Sequence, residues 1–300
     1  MTNESPPPLA PGKSVIGCIG LGVMGAPAAK NMRAGGYSLR VFARRAASLA
    51  DFADIPADDS PAALGAACDA VVLNVSDTPD VETLALGDGG LIEGMRPGGI
   101  VIDMSTIAPA AARDTAAKLA EKGIVFLDAP VSGGQRGAID GTLTIMAGGD
   151  ETAFARALPL LRTTGKTITR VGESGAGQVV KACNQIIIGA TIEGVAEAMM
   201  LAQKNGVDAA AARNALMGGF AASRVLEIHG RRMLEDDFAP GFRAVLHSKD
   251  MQIAIADGAR NGCPLPSAKL FAERLRALIA DGGGDLDSAA AYKIVKKEAK

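Results

Sequence analysis

Short apolar runs alternate with helix-forming segments in the part of the chain that ends at Gly172. This alternation predicts a largely parallel sheet with helices on both faces, the doubly wound α/β class. The predicted strands are 15–20, 39–42, 70–75, 100–104, 125–127, 143–147 and 167–171. Helices are predicted between them at 26–34, 61–68, 80–86 and 109–122.

Beyond Gly172 the pattern is helical only. Residues 178–205 form one proline-free segment that is apolar all round in its middle, which is typical of a buried helix. Further helices are predicted at 209–217, 223–235, 242–261 and 267–280. We therefore expect a disordered tail at 1–13, an α/β domain at 14–174 and an all-helical domain at 175–300, which the long helix links to the α/β domain.

Composition supports two soluble domains and excludes several classes of partner. The chain has 300 residues, above the size at which single cores usually stop growing. Its net charge of -2 gives no field for holding nucleic acid, and we find neither a signal peptide nor an uninterrupted membrane span. The four scattered cysteines indicate neither disulfides nor a metal site. We expect a cytosolic protein that uses no metal.

The first predicted strand runs directly into a glycine loop of GxGxxG spacing. Gly20 permits a tight turn, Gly22 lets the backbone approach a pyrophosphate, and Gly25 allows close packing of helix and strand. A tight turn that binds nothing is the alternative. The predicted cofactor loop consists of Gly20, Leu21, Gly22, Val23, Met24 and Gly25.

Two arginines follow the second predicted strand, where an enzyme that prefers NAD would carry an acidic residue. Arg44 and Arg45 could hold a 2′-phosphate bidentately, so we expect NADP(H) to be favoured, with NAD(H) still possible. The alternative is an ordinary solvated basic turn.

Polar residues also follow the third and fourth predicted strands, at the sheet edge where ligands of such folds bind. The third strand ends in the run Asn74, Val75, Ser76 and Asp77, and Ser105 and Thr106 follow the fourth. They could face the cofactor. They could equally cap the next helix, with Ser105 or Thr106 as N-cap of the helix that Pro109 opens.

Two later segments carry the candidate chemistry. Ser132, Gly133 and Gly134 would expose backbone amides and a hydroxyl suited to a carboxylate. Lys181 and Asn184 lie three positions apart on the long helix and so share a face. A lysine ammonium beside a reacting carbonyl can stabilise and then protonate the alkoxide that hydride transfer produces. A simple turn and a solvated lysine are the alternatives.

Taken together, these motifs closely resemble the β-hydroxyacid dehydrogenases, in order from about residue 14 to about 290. Members of that family act on 3-hydroxyisobutyrate or on tartronate semialdehyde (2-hydroxy-3-oxopropionate). The motifs that carry the resemblance are the glycine loop, the run 128–134, the run 141–149, the run 175–185 and the pair Lys249 and Asp250.

The resemblance implies a Rossmann-type domain followed by a helical domain that also serves dimer or tetramer contacts. It implies that Lys181 is the catalytic lysine, acting as general acid in reduction and as base in oxidation. It further implies that Ser132, Gly133, Gly134 and Asn184 bind the substrate, and that Thr106 and Lys249 contact the cofactor or approach the active-site cleft. Near the C-terminus, residues 284–289 retain only part of the Asp-x-Ser pattern that relatives place near the substrate. The resemblance therefore does not identify the substrate.

Two other functions are compatible with the same scaffold. One is reduction of a cyclic imine, against which Lys181 counts because relatives with that activity usually replace the lysine. The other is a dinucleotide-binding module without catalysis. Lys181, Ser132 and Asn184 together favour the enzyme.

Overall fold

The computed structural model describes residues 7–299 and divides into two compact units, of which the first ends at Lys181 and the second begins at Ala182. The first unit contains one eight-stranded sheet in the order β2-β1-β3-β4-β5-β7-β6, with β8 paired to β7. The strands are β1 (Val15–Ile19), β2 (Ser38–Phe42), β3 (Ala70–Leu73), β4 (Ile100–Asp103), β5 (Val125–Asp128), β6 (Val131–Ser132), β7 (Leu143–Gly148) and β8 (Gly165–Gly172).

The five strands β2-β1-β3-β4-β5 are all parallel, as predicted from their apolar runs. Strand β7 is antiparallel to β5 and to the two-residue strand β6, so the sheet is mixed at that end. The carboxyl ends of the five parallel strands therefore meet at one edge, and the candidate loops follow from that edge.

Helices cover both faces of this sheet. Neighbouring residues of one strand enter different cores: Val72 packs with Ile16 and Ile102, whereas Val71 packs with Val101 and Phe126. Burial on both faces explains why the strands are continuous apolar runs. The helices are α1 (Gly25–Ala34), α2 (Pro61–Ala66), α3 (Thr78–Leu86), α4 (Leu91–Gly94), α5 (Pro109–Ala120), α6 (Gly134–Asp140) and α7 (Glu151–Leu161), with a 3-10 helix over Ala46–Phe52.

The prediction of a disordered tail is wrong for residues 7–13. Leu9 is buried in the core of the first unit, and its backbone N–H donates to the Arg156 carbonyl oxygen at 2.9 Å. The Tyr37 hydroxyl donates to the Leu9 carbonyl oxygen at 3.2 Å. The Gly12 N–H also donates to the Gly36 carbonyl oxygen at 2.9 Å, so burial of Leu9 and several hydrogen bonds order a proline-rich segment. Residues 1–6 of the expected tail lie outside the described residues.

Helix α8 (Ala176–Lys204) begins in the first unit and continues into the second, which is all helical as predicted. The core of the second unit contains Ile192, Met199, Phe271 and Tyr292. Residues 182–299 form no strand beyond one isolated bridge between Arg243 and Asp287. The other helices are α9 (Ala209–Leu216), α10 (Arg231–Glu235), α11 (Ala244–Arg260), α12 (Pro266–Leu278) and α13 (Tyr292–Glu298), with π-helical turns at Leu226–Gly230 and Ile279–Gly283 and a 3-10 turn at Ser288–Ala291.

Among the described residues, α8 alone is long and apolar enough to cross a membrane. Core helices of soluble proteins can be equally long and apolar. Ile192, Ala196 and Met199 of α8 are buried in the core of the second unit, the arrangement of a core helix.

Candidate active site

The glycine loop packs tightly against the end of β3. Gly20 has a φ of +90°, and a Cβ there would lie 2.2 Å from the Asn74 carbonyl oxygen. A Cβ on Gly25 would lie 1.9 Å from the Gly20 carbonyl oxygen. In contrast, the space beside Gly22 is open for 4 Å. Glycine is therefore required at two positions by packing, and at the third there is room for a ligand.

The start of α1 fits a diphosphate. Its N-cap residue is Met24, whose side chain caps none of the helix N–H groups. Uncapped N–H groups at a helix start attract a phosphate, and the dipole of the helix adds to that attraction. Val23 is exposed, whereas the Leu21 side chain is buried in the core, so only the Leu21 backbone can face a cofactor.

Both arginines after β2 are exposed at the same edge of the sheet. Arg44 Nη2 lies 2.8 Å from Asp80 Oδ1 in α3, and the side chains are 68% and 23% exposed. Arg45 is the N-cap residue of the 3-10 helix Ala46–Phe52. Arg44 is thus already paired with a carboxylate at the position where a 2′-phosphate is expected.

The loops after β3 and β4 are joined to each other. The Val75 N–H donates to Ser105 Oγ at 2.9 Å. Asn74 Nδ2 is buried and has no hydrogen-bond partner within residues 7–299. A Cβ on Gly25 would lie 3.2 Å from the Asn74 Cβ, so this residue packs against the glycine loop. Thr106 lies between Ser105 and Ile107 in the same loop.

The expectation that Ser105 or Thr106 caps α5 is wrong. The N-cap residue of α5 is Ala108, and no side chain caps the helix start. The Ser105 hydroxyl is instead engaged by the Val75 N–H, because the two loops run side by side. Capping is confirmed in the neighbouring loop, where Asp77 accepts a hydrogen bond from the Thr78 N–H at 2.7 Å.

The predicted carboxylate loop joins β6 to α6. Ser132 ends β6, Gly133 has a φ of +137°, and Gly134 begins α6 with a φ of +62°. A Cβ on Gly134 would meet nothing within 4 Å, so the loop is open on that side. Positive φ values expose backbone N–H groups in a way that L side chains rarely allow.

Lys181 lies in the second turn of α8 and is 7% exposed. The helix start is held by Asp128, the last residue of β5. Asp128 Oδ1 accepts from the Gly175 N–H at 2.7 Å, and Oδ2 accepts from the Gln178 N–H at 3.0 Å. Burial raises the pKa of Asp128 to about 6, although these two hydrogen bonds oppose the increase.

Sequence reasoning did not assign roles to Asp128 or Gln178. The Gln178 side chain is bonded at both ends: Oε1 accepts from the Ile107 N–H at 3.1 Å, and Nε2 donates to the Ser105 carbonyl oxygen at 2.9 Å. Asp128 lies in the run 128–134 and Gln178 in the run 175–185, and in both runs the sequence pointed to other residues as functional. A carboxylate directly after a buried apolar strand was the available signal for Asp128.

Two other predicted site residues belong to the second unit and are linked there by a chain of polar contacts. Asn184 Nδ2 donates to Gln185 Oε1 at 2.8 Å, and Gln185 Nε2 donates to Asp250 Oδ2 at 2.7 Å. Lys249 Nζ lies 3.1 Å from Asp250 Oδ1. Buried Asp250 therefore orients both Asn184, through Gln185, and Lys249.

No group of three or more metal-ligating side chains occurs within the described part of the chain. The uncapped start of α1, the open space at Gly22 and the exposed arginines together fit a dinucleotide phosphate chain.

Two family models cover nearly the whole chain. Residues 15–172 match the NAD binding domain of 6-phosphogluconate dehydrogenase. Residues 175–295 match the NAD-binding domain of NADP-dependent 3-hydroxyisobutyrate dehydrogenase.

Similar proteins of known name are oxidoreductases. 2-Hydroxy-3-oxopropionate reductase from Escherichia coli (strain K12) is 41% identical over 286 residues, which cover 92% of this chain and 94% of that protein. A structure of Mycobacterium tuberculosis 3-hydroxyisobutyrate dehydrogenase with L-serine has a TM-score of 0.88 at 30% identity, covering 94% of this chain and 99% of the other. An imine reductase from Myxococcus stipitatus has a TM-score of 0.64 at 18% identity, covering 94% of this chain and 99% of the other, which indicates the fold alone.

Proposed function

Because the chain belongs to the β-hydroxyacid dehydrogenase family, we propose that it reduces tartronate semialdehyde (2-hydroxy-3-oxopropionate) with NADPH. As a member of that family it is an NAD(P)-dependent oxidoreductase that acts on a small β-hydroxy acid or its semialdehyde. The observation that supports the proposal is a buried lysine, Lys181, three positions after Gln178, whose side chain bonds the loop that follows β4. The named substrate is that of the E. coli relative.

In this proposal the nicotinamide of the bound cofactor supplies the hydride, and residues of the chain bind the substrate and move the proton. The Ser132 hydroxyl and the N–H groups of Gly133 and Gly134 donate to the substrate carboxylate. Lys181 Nζ donates a proton to the carbonyl oxygen as the carbon accepts hydride, and the aldehyde becomes an alcohol. In the oxidative direction the neutral amine removes that proton.

Burial strengthens this role of Lys181. An ammonium that is shielded from water stabilises a developing alkoxide more than a solvated one does, since little solvent screens the interaction. Asn184, three positions later on α8, is assigned to the substrate hydroxyl group, and its amide is oriented by Gln185. Glycine at 133 and 134 keeps the carboxylate loop free of side chains that would fill the site.

The preference for NADPH rests on Arg44 and Arg45. A guanidinium binds a phosphate bidentately, and no acidic residue occupies the end of β2 to accept a hydrogen bond from a ribose 2′-hydroxyl. NAD(H) is the alternative cofactor. The ratio of kcat/KM values with NADPH and NADH, measured on one substrate, decides between them.

We also propose a cytosolic homodimer or homotetramer. Helix α8 carries the exposed apolar side chains Ile187 and Leu201, each 67% exposed, on a helix whose opposite side is buried in the second unit. Large exposed apolar side chains on a long helix are typical of subunit contacts.

The experiment that tests the function is a screen of NADPH oxidation, followed by absorbance, over tartronate semialdehyde, succinic semialdehyde, glyoxylate and a cyclic imine. We expect the highest kcat/KM with tartronate semialdehyde. Lys181→Ala should lower kcat by about 10²- to 10⁴-fold while NADPH binding is retained, since a general acid contributes that much. Lys204→Ala, which removes an exposed lysine from the last turn of the same helix, is the matched control.

The possible outcomes separate the candidate functions. Near-normal turnover of Lys181→Ala would contradict the proposed role of the lysine. Turnover of the imine alone would make the protein an imine reductase. Tight NADPH binding without turnover of any compound would favour a non-catalytic module.

A further inference from the structure

The first turn of α8 is held in place by a carboxylate that lies inside the protein. Asp128 is fully buried, and each of its oxygens accepts a backbone N–H from the start of the helix, Gly175 to Oδ1 and Gln178 to Oδ2. These N–H groups have no partner within the helix itself, so the carboxylate supplies what the helix start lacks. A negative charge at this end also interacts favourably with the helix dipole.

Two glycines make room for this carboxylate. A Cβ on Gly148 would lie 2.6 Å from Asp128 Oδ1, and a Cβ on Gly177 would lie 2.9 Å from Asp128 Oδ2. The Gly177 Cβ would also lie 2.4 Å from the Met146 carbonyl oxygen. Strands β5 and β7 and the start of α8 therefore approach one another as closely as backbone permits.

The Gln178 side chain extends this arrangement to the loop after β4. It is 1% exposed, and its amide bonds the Ile107 N–H and the Ser105 carbonyl oxygen, one on each side of Thr106. Ser105 Oγ in turn accepts from the Val75 N–H after β3. One network thus joins the loops after β3 and β4 to the first turn of α8, the turn that precedes Lys181.

We propose that Gln178, anchored by Asp128, is a positioning residue that fixes Lys181 relative to the loop Ser105–Ile107. The proposal rests on the proposed function, in which Lys181 is the proton donor and that loop contacts the cofactor. Lys181 follows Gln178 by three positions, less than one helical turn, so the start of α8 has little freedom to move the amine alone. Misplacement of a catalytic group by about 1 Å can cost about 10²-fold in rate.

Burial of the network adds to its rigidity. In a shielded environment an unpaired amide or carbonyl is costly, so the alternative positions of the helix start are disfavoured. The pKa of Asp128, about 6, leaves its carboxylate ionised at neutral pH, the state in which both oxygens accept.

The test combines Gln178→Met with Lys181→Ala in a double-mutant cycle. Methionine has a similar length but neither bonds the Ile107 N–H nor donates to the Ser105 carbonyl oxygen. In the presence of Lys181 we expect kcat to fall by about 10- to 100-fold, with the KM for NADPH changed less than about threefold. In the Lys181→Ala background, single-turnover NADPH oxidation should fall by less than about threefold, because the positioned group is gone.

The matched control is Asn31→Leu. Asn31 Nδ2 donates to the Ala138 carbonyl oxygen at 2.8 Å, so this variant also removes a bond from a side-chain amide to backbone in the first unit. We expect it to lower the melting temperature without changing kcat by more than about twofold, since it lies outside the catalytic machinery.

Asp128→Asn, tested in both backgrounds, provides a second measurement if Gln178→Met does not fold. It keeps the side-chain shape but replaces one acceptor oxygen with a donor that faces an N–H. Equal losses in both backgrounds, unchanged kcat, or a loss confined to the KM for NADPH would overturn the positioning role. A fully active Lys181→Ala variant would instead contradict the proposed function, so the two failures are distinct.

Discussion

Arg44 is held by a carboxylate where the proposed function requires it to bind a phosphate. Its contact with Asp80 is an exposed ion pair, and pairs of this kind contribute only about 0.2–1 kcal/mol. A 2′-phosphate carries more charge and offers several acceptor oxygens, so it can replace Asp80 as the partner of Arg44.

We therefore expect Asp80→Asn to lower the KM for NADPH by about 1.4- to fivefold, the factor that corresponds to the energy of an exposed pair. The KM for NADH should change little, because NADH has no 2′-phosphate. Arg44→Ala should have the opposite effect and raise the KM for NADPH. Equal changes for both cofactors in Asp80→Asn would show that Asp80 does not compete for Arg44.

Asp128 makes stability depend on pH in an unusual direction. Its pKa rises on folding from 3.8 to about 6, so the folded state binds this proton more tightly than the unfolded state does. The contribution of this proton to the free energy of unfolding is fully present below pH 3.8 and is lost as the pH rises through about 6.

This dependence is measurable as a difference between the wild type and Asp128→Asn, in which the group does not titrate. The wild-type free energy of unfolding minus that of the variant should decrease between pH 3.8 and about 6 by roughly 2–3 kcal/mol, at about 1.4 kcal/mol per pKa unit. Urea denaturation over this pH range gives both values. A constant difference would mean that Asp128 has an ordinary pKa in the folded protein.

Single residues were predictable where they belong to a spacing pattern or carry unusual chemistry. The glycine loop and the arginines after β2 lie where their order in the sequence predicted, next to the ends of β1 and β2. Lys181 was singled out because an ammonium is exceptional in an apolar segment, and its catalytic role stays a prediction. Gln178 was not found, because an amide side chain gives no signal until its two backbone partners, 71 and 73 positions away, are known.

At the scale of elements, two of the three glycines in α8 have sharply different surroundings. A Cβ on Gly177 would lie 2.4 Å from a backbone carbonyl oxygen, whereas a Cβ on Gly194 would meet nothing within 4 Å. In an open helix position alanine is more favourable than glycine by about 0.5–1 kcal/mol.

Gly194 lies seven positions from both Ile187 and Leu201, on the face of α8 proposed for subunit contacts, so the comparison uses the Ile187→Glu, Leu201→Glu background. There Gly194→Ala should stabilise the protein by up to about 1 kcal/mol and leave kcat unchanged. Gly177→Ala should destabilise it and lower kcat, because the helix start must move away from β7. Thermal unfolding and steady-state kinetics of the two variants test this contrast. Similar behaviour of both would exclude close packing as the reason for glycine at 177.

The elements themselves followed from apolar periodicity wherever burial is continuous. The five parallel strands were predicted because runs that are buried on both sides are apolar throughout. Helix α8 was predicted from the same kind of run, although its side chains Ile187 and Leu201 are exposed in the structure. Strand β6 was missed because two residues carry no periodicity, and α7 was missed although Asp150 caps it by accepting from the Ala153 N–H. The antiparallel direction of β7 depends on a short connection through α6 rather than on the composition of the strand.

At the scale of the whole molecule, the exposed apolar side chains of α8 allow the proposed assembly to be tested. Ile187→Glu combined with Leu201→Glu should shift the protein to monomers in sedimentation velocity, since charged groups disfavour an apolar contact. Ile139→Glu places a charge on an exposed isoleucine of the first unit and is the control. An unchanged sedimentation coefficient in the double variant would exclude this face of α8 as the subunit contact.

The open loop between β6 and α6 also sets limits for protein engineering. Gly133 and Gly134 have backbone conformations that other residues rarely adopt, so randomised libraries at these two positions would yield mainly misfolded variants. Ser132 and the exposed Gln135 on either side accept side chains without this restriction. Directed evolution toward new substrates should therefore keep the glycine pair constant and vary its two neighbours.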